Sequence, residues 1–359
     1  MKKKVMLGMS GGVDSSVAAL LLKNAGYDVT GVTLRLRPDR YMEQCVSGGC
    51  CSIDDIDDAR RVAYKIGIEH LVFNFTDIFE ETVIDYFVKE YEQGRTPNPC
   101  IACNRHVKFN AMMKRAIELG FDYVATGHYA CIEQNELGRW LLKKAPAAKD
   151  QSYVLYSLTQ FQLEHTLLPL ASYTKPQIRA IAQEAGLIVA NKPDSQEICF
   201  VPDKDYAGFI ERYTGKKAEP GQFVDENGTV LGTHKGIAHY TIGQRKGLGI
   251  SFGEPMFVTK INAEKNQIVL GKAGSQYAKQ LVAGDINWIS IERLTEPLKA
   301  TAKTRYLAPP APAVLLPMEN GLVQVMFDEP QRSITPGQAV VFYDGDTVIG
   351  GGTILNNNA

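Results

Sequence analysis

The six residues Ser10-Gly11-Gly12-Val13-Asp14-Ser15 follow directly on the apolar run Val5–Met9. A strand that breaks into two glycines and then a helix makes a nest. Glycine lets the backbone turn tightly and bring its N–H groups close to an anion. The helix N-terminus behind the nest adds positive partial charge, and the hydroxyls of Ser10, Ser15 and Ser16 offer further donors. Asp14 would repel a bare phosphate, so its expected work is to hold Mg²⁺. The stretch is not a Walker A loop, which needs a lysine after its second glycine, and not the dinucleotide GxGxxG pattern. The plain alternative is a tight turn with Asp14 as a helix cap.

Two other stretches carry thiols, Pro97-Asn-Pro-Cys-Ile-Ala-Cys-Asn-Arg-His-Val-Lys-Phe109 and Asp194-Ser-Gln-Glu-Ile-Cys-Phe-Val201. Cys103 stands at the start of a predicted helix beside Arg105, His106 and Lys108. A helix N-terminus and nearby positive charge both lower a thiol pKa. Cys199 lies in a β-type stretch far away in sequence. One thiol could carry a persulfide sulfur and the other release it. Both could instead be packing cysteines. Cys100-x-x-Cys103, completed by Cys199, could also give the three thiolates of an iron–sulfur cluster with one open position. Cys45, Cys50 and Cys51 suit no common zinc module and are read as a loop without an assigned role. Cys131 reads as packing, His70 and His165 as structural, and His106 is open.

The elements that must position these residues follow from periodicity and stop signals. Strands are expected at Val5–Met9, Val29–Leu34, Leu71–Phe75 and Tyr123–Thr126. Helices are expected at Ser15–Ala25, Asp54–Ile66, Asp77–Gln93, Arg105–Leu119 and Lys175–Ala185, closed in turn by Gly26, Gly67, Gly94, Gly120 and Gly186. Strands alternating with helices imply a parallel sheet covered on both faces, an α/β domain. After about residue 212 short strands and turns dominate, with hairpin signals at Asn227-Gly228 and Asp344-Gly345. The expected organisation is a catalytic domain over 1–212, a small β-rich central domain over 213–280 and a C-terminal β-barrel-like domain over 281–359.

A chain of 359 residues has room for two or three domains, since single cores stop growing at about 250–300 residues. The formal net charge of −1 gives no general attraction to nucleic acid, so RNA binding would need local basic surface. Residues 95–151 carry nine Lys/Arg against five Asp/Glu, and Gln244-Arg-Lys-Gly-Leu-Gly249 is a basic loop. The apolar run behind Met1-Lys-Lys-Lys4 is too short for a signal h-region, and no stretch of about 18 apolar residues exists, so no membrane partner is expected. The odd count of seven cysteines points to thiols in a reducing compartment, read here as the cytoplasm.

The complete Ser-Gly-Gly-Val-Asp-Ser after a first strand resembles the PP-loop of ATP pyrophosphatases. That resemblance implies ATP cleaved between its α and β phosphates, with AMP passed to a substrate oxygen. The chain shows no glutaminase-like segment but has cysteines, as sulfur transferases do. Along almost its whole length it resembles the tRNA-specific 2-thiouridylases (the MnmA/TrmU family), through "GMSGGVDSS", "RTPNPC", "CNRHVKF", "ATGHYA", "KDQSYVL", "DSQEICF", "YTIGQRKGLG" and "PGQAVVFYDGD".

The resemblance implies adenylation of the C2 oxygen of the wobble uridine in tRNA. It implies a persulfide on Cys199, charged by a donor protein such as a cysteine desulfurase or relay. Cys103 would be the nucleophile that frees the sulfur and ends in a disulfide with Cys199, which a reductant resets. It maps ATP contacts onto Gly8, Met9, Ser10, Gly11, Gly12, Val13, Asp14, Ser15, Leu34 and Gly127. The target base would meet Asn98, Pro99 and Cys100. Many members have aspartate at position 100, so a proton-shuttling role there is in question in this chain. tRNA contacts map onto His128, Lys149, Asp150, Gln151, Arg305, Tyr306 and Gln338. Competing readings are a PP-loop ligase or amidotransferase acting on a small substrate, and a metal- or cluster-dependent RNA-binding protein without turnover.

Overall fold

A computed structural model describes residues 2–37, 53–146, 149–194, 197–250 and 253–356. Cys45, Cys50 and Cys51 lie outside the described residues. The chain forms two compact units. The first comprises described residues within Met1–Val83, Cys100–Pro202 and Asp346–Val348, and the second those within Ile84–Pro99, Asp203–Gly345 and Ile349–Ala359.

The first unit holds the expected parallel sheet. Strands β1 (Lys4–Gly8), β2 (Asp28–Arg35), β3 (Glu69–Asn74), β4 (Tyr123–Ala125) and β7 (Thr166–Leu167) lie in the order β3-β2-β1-β4-β7, and a hairpin of β5 (Ala130–Gln134) and β6 (Trp140–Lys144) stands beside it in sequence. Every pairing in the sheet is parallel. The central strand β1 is apolar because helices cover both faces, and its Val5, Met6 and Leu7 are fully buried. Val5 and Leu7 join Val17, Ala18, Val62 and Ile178 in one core, so the helices Val13–Asn24, Ile53–Ile66 and Lys175–Glu184 are docked through their apolar faces.

Three helix expectations change. The first helix starts at Val13 rather than Ser15, which puts Asp14 and Ser15 in its first turn. The helix expected over Asp77–Gln93 is interrupted by a π turn at Glu80–Ile84, where the Thr82 hydroxyl donates to the Ile78 carbonyl at 2.6 Å and competes with the α ladder. The helix expected from Arg105 starts at Pro99, runs one α turn to Ala102, then a π segment Cys103–Ala111, then α again over Met112–Glu118. Proline opens a helix without loss, because its missing N–H would be unpaired in the first turn anyway.

The second unit is β-rich. Strands β8 (Gly221–Val224), β9 (Val230–His234), β10 (Met256–Asn262) and β11 (Gln267–Lys272) form a four-stranded sheet around Phe223, Tyr240, Val258 and Leu270. The β8–β9 connection is the expected hairpin, with Asn227-Gly228 in its turn. Strands β12 (Tyr277–Trp288), β13 (Leu298–Lys303), β14 (Ala311–Pro317), β15 (Val323–Arg332), β16 (Ala339–Asp344) and β17 (Thr347–Asn356) run in the order β12-β15-β14-β13-β16-β17, and β12 pairs with β17 to close a six-stranded barrel. Its interior is packed with Leu281, Val325, Phe342 and Ile354, all fully buried. The architecture is thus the expected one: a parallel-sheet α/β domain, a small β-rich domain and a terminal barrel. Among the described residues, no helix is long and apolar enough to cross a membrane.

Candidate functional site

In open parallel sheets ligands bind beyond the carboxyl ends of the strands. Three of the expected ATP-contact segments meet there in the first unit. The Ser10–Ser15 loop leaves β1, Leu34 lies near the end of β2, and Gly127 follows β4. Both outer strands pair directly with β1.

Gly8, Met9, Ser10, Asp14, Ser15, Leu34, Gly127, His128 and Gln151 line one cavity of about 220 Å³, together with Val32, Thr33, Leu36, Lys108, Met112 and Thr126. That is below the roughly 300–1,000 Å³ of pockets that enclose a drug-sized ligand. It suits a nucleoside-sized group with its phosphates lying over the loop. Leu34 is 9% exposed and offers packing, not charge.

The loop is held by bonds to β2 and by bonds within itself. The Met9 N–H donates to Val32 O at 2.8 Å and the Thr33 hydroxyl to Met9 O at 2.9 Å, which ties the loop entry to β2. Gly11 sits at φ +71°, where a β-carbon would stand 2.3 Å from the Asp55 carbonyl oxygen. A β-carbon on Gly127 would stand 2.9 Å from the Ser15 nitrogen and 3.0 Å from the Asp14 carbonyl carbon, so glycine lets the β4 loop touch the nest. Two expected donors are spent inside the loop. The Ser15 hydroxyl accepts from Ser10 N–H (3.2 Å) and donates to Gly12 O (3.2 Å), and the Ser16 hydroxyl donates to Gly12 O (2.8 Å). Ser10 remains exposed.

Asp14 departs from the metal-ligand expectation. Its Oδ1 accepts from the Tyr129 hydroxyl (2.6 Å) and Lys175 Nζ (2.7 Å), and its Oδ2 from Lys149 Nζ (3.3 Å). A carboxylate with both oxygens on ammonium and hydroxyl donors does not fit Mg²⁺, which wants oxygen ligands with free lone pairs. Among the described residues, no three His, Cys, Asp or Glu side chains gather where they could hold a metal ion.

Lys149 and Lys175 also bind Asp194, at 2.9 and 2.6 Å, and Arg179 approaches the same carboxylate at 3.4 Å. Burial alone would lower the Lys149 pKa, but its bonds to Asp194 and the charge of Asp14 outweigh it and raise it. Burial alone would raise Asp194, yet Lys175 and Lys149 hold it below the usual carboxylate range. Burial, then the bond to Asp14, push the Tyr129 phenol up, so it stays a donor. Tyr129, Lys175, Arg179 and Asp194 escaped the sequence reading of the site. Tyr129 and Asp194 lie inside the quoted stretches "ATGHYA" and "DSQEICF", but nothing local links them to Asp14.

The expected tRNA contacts of this unit have internal partners. His128 shares a 2.8 Å bond between its Nδ1 and the Thr126 hydroxyl, and burial, aided by Lys108 and Lys149, holds its imidazole well below its ordinary pKa. Asp150 accepts from Ala145 N–H, Ser152 N–H and the Ser152 hydroxyl. Gln151 exchanges bonds with the Tyr129 backbone at 2.8 and 3.0 Å, and Lys149 lies 5.0 Å from the Tyr129 ring centre.

Cys103 is buried and Cys100 exposed. Because the helix begins at Pro99, Cys103 is past its first turn, and Cys100 takes the place near the N-terminal dipole. Cys199 is half-buried in a turn closed by Val201 N–H to Ile198 O at 2.9 Å, not in a strand. Its neighbour Phe200 stacks edge-on against Phe79 at 5.9 Å, on the short helix Thr76–Phe79 that packs against the Cys103–Ala111 segment. Both cysteine stretches thus share one region of the first unit.

In the second unit, Gln338 Nε2 donates to the carbonyls of Thr96 (2.8 Å) and Pro97 (3.4 Å), and Thr96 N–H donates to Pro336 O (2.9 Å). The segment leading to Asn98 and Pro99 is thereby tied to the barrel loop Pro336–Gln338, and Arg95 is ion-paired with Glu90. Arg305 Nη2 donates to Ser333 O (2.6 Å), the Thr335 hydroxyl (2.8 Å) and Ile242 O (3.3 Å), and Gln338 N–H donates to Thr335 O (3.2 Å). Arg305 and Gln338 are therefore joined through Thr335, and Gln338 reaches the two residues before Asn98. Tyr306 lies beneath Lys303, 5.9 Å from its ammonium.

Comparison with known proteins agrees along the chain. Residues 3–203 match the family described as "tRNA methyl transferase HUP domain", residues 207–272 the "tRNA methyl transferase PRC-barrel domain", and residues 278–354 the "Aminomethyltransferase beta-barrel domain". The tRNA-specific 2-thiouridylase MnmA of Acetivibrio thermocellus is 58% identical over 356 residues, covering 98% of this chain and 99% of that protein. The protein of that name from Clostridioides difficile is 58% identical (99% and 98% covered), and that from Halothermothrix orenii 53% (99% of each).

Proposed function

The chain belongs to the tRNA-specific 2-thiouridylase family, and we propose that it transfers sulfur to C2 of the wobble uridine of tRNA, splitting ATP into AMP and diphosphate. The observation that carries this reading is the anion nest at the carboxyl ends of β2, β1 and β4. It opens on a nucleoside-sized cavity, in a unit that also holds the two cysteine stretches. The uridine C2 oxygen attacks the α-phosphorus, and the bond from that phosphorus to the diphosphate breaks. A poor leaving group, a carbonyl oxygen, becomes AMP. In this reading the backbone N–H groups of Gly11 and Gly12 serve the charge that develops on the phosphates.

Sulfur then arrives as a persulfide on Cys199, delivered by a donor protein. The Cys103 thiolate attacks the Cys199 sulfur, a Cys103–Cys199 disulfide forms, and the outer sulfur leaves as hydrosulfide. Hydrosulfide attacks C2 and AMP departs with the original oxygen. Two electrons and two protons from a cytoplasmic reductant restore the thiols. Residues 1–212 carry this chemistry in our reading. The domains 213–280 and 281–359 serve tRNA, with Asn98-Pro99-Cys100 at the target base.

The test combines the protein, ATP, tRNA and a persulfide donor, and measures AMP and diphosphate by chromatography and 2-thiouridine by nucleoside mass spectrometry. Cys103→Ser and Cys199→Ser are expected to abolish 2-thiouridine while diphosphate release and adenylation of the tRNA persist. Thiolation that survives both substitutions would overturn the two-cysteine route. AMP release without any thiouridine from the parent would overturn sulfur transfer itself.

A further inference from the structure

We propose that Lys175, with Lys149 beside it, forms a diphosphate-binding site that continues the Ser10–Ser15 nest past Asp14. This inference rests on the reading that ATP is split into AMP and diphosphate. It begins from an electrostatic difficulty. The nest lacks the lysine of a Walker loop, yet places a carboxylate, Asp14, in the first helical turn, where it would repel a triphosphate. The fold answers with cations from 135 and 161 residues away in sequence.

The charges in the cluster do not cancel. Asp14 and Asp194 supply two negative charges against three positive ones on Lys149, Lys175 and Arg179. One positive charge is left over beside a loop of backbone donors. Each ammonium has three N–H donors. Lys175 spends two, on Asp14 Oδ1 and Asp194 Oδ1, and Lys149 spends two, on Asp14 Oδ2 and Asp194 Oδ2. One N–H on Lys175 is therefore left over among the described residues, while the third on Lys149 has only the Tyr129 ring face, 5.0 Å from its nitrogen. The group is not sealed off: the side chains are 19% exposed at Lys175 and 30% at Lys149.

Direction comes from the cavity. Its apolar wall of Val32, Leu34 and Leu36 suits the base, Ser10 and Ser15 lie at its loop side, and Asp14 lines it while bonding both lysines. Ser10, Asp14 and Ser15 line the same side of the cavity, so phosphates that follow the loop from a base seated on the apolar wall run toward Asp14 and its cations. Lys175 is held ready for them. It is the first residue of a ten-residue helix opened by a capping box, with Thr174 N–H donating to Gln177 Oε1 at 2.8 Å. Arg179, one turn on, is pinned by the Ala190 and Lys192 carbonyls at 2.7 and 3.0 Å.

The test titrates the full-length protein separately with sodium diphosphate and with AMP by calorimetry. Lys175→Met is expected to weaken diphosphate binding about tenfold or more, the loss of one charge-assisted bond, with AMP affinity changed less than about twofold. Lys175→Arg should recover most of the loss. Asp194→Asn, which removes a competing carboxylate, should tighten diphosphate binding several-fold, a gain that a scaffolding role would not give. Unchanged diphosphate affinity in Lys175→Met, or equal losses for AMP and diphosphate, would overturn the proposal. So would weaker diphosphate binding in Asp194→Asn, a readout that stands even if the lysine variant does not fold. A parent protein that binds diphosphate through Lys175 but releases no diphosphate from ATP in the presence of tRNA would instead remove the functional reading and leave the site.

Discussion

The nest at Ser10–Ser15 and the segment Thr96–Pro99 are both expected to meet substrate, and they are held in opposite ways. The nest takes most of its shape from neighbours in sequence: Ser15 and Ser16 bond back to Gly12, and a buried strand and a helix flank it, with distant residues adding bonds only at Met9 and at the Gly11 carbonyl. The Thr96–Pro99 segment has two prolines and few donors of its own, and its backbone is satisfied by Pro336 and Gln338, some 240 residues later. A loop that supplies its own bonds keeps its shape as a local motif. A loop that borrows them depends on another fold being complete.

Gly11→Ala attacks the self-contained loop and should have the largest effect. Left-handed strain plus the clash with Asp55 O amounts to about 2–5 kcal/mol. AMP release is expected to fall to background and the melting temperature to drop, checked by nucleotide chromatography and calorimetry. Normal AMP release would show that the loop can relax, and the comparison would break.

Gln338→Ala attacks the borrowed support. Leaving two carbonyls without their donor costs about 1–3 kcal/mol. Thiouridine formation should fall severalfold, while AMP and diphosphate binding, which use first-unit residues, stay as in the parent. Equal loss of nucleotide binding would erase the distinction between the two regions.

A smaller effect is expected from His128→Gln, and it is readable in pH. The folded protein keeps His128 neutral because burial holds its pKa well below the ordinary value. The unfolded imidazole takes up a proton below about pH 6.5. The unfolded state thus binds more protons in that range, and the stability due to neutral His128 is full above about pH 6.5 and is lost as pH falls toward the folded pKa. The variant should show a flatter acid limb in urea unfolding than the parent. An unchanged slope would mean that other groups, His70, His234 or His239, carry the acid sensitivity.

The smallest change expected is in Thr174→Ala, which removes the cap that starts the helix of Lys175. A cap is worth about 1 kcal/mol. The melting temperature should fall by a few degrees, with diphosphate affinity reduced less than in Lys175→Met. A larger loss of diphosphate affinity than of stability would show that the cap, not the ion pairs, sets the position of Lys175.

Much of the fold was readable because its signals are local. Apolar runs at β1 and β2, glycine stops after helices, and turn pairs such as Asn227-Gly228 each act over a few residues. The errors also have local causes. The helix expected from Arg105 begins six residues earlier, because Pro99 serves as its first residue. Thr82 looked like an ordinary helical residue but donates its hydroxyl to Ile78 O and opens a π turn. Moving the helix start to Pro99 changes the chemistry, because the N-terminal dipole falls off within a turn and so favours Cys100 over Cys103.

By itself the sequence determined that a nest follows the first strand, that a parallel sheet carries it, and that two thiol-bearing stretches accompany it. Those features depend on side-chain type and spacing within about one helical turn or one strand. Only the tertiary structure decided what Asp14 does. Its partners Tyr129, Lys149 and Lys175 come from three later segments. A carboxylate's role as metal ligand or ion-pair acceptor depends on which charges lie within a few ångströms. Distances of that kind are set by how strands and helices pack, and no spacing along the chain encodes them.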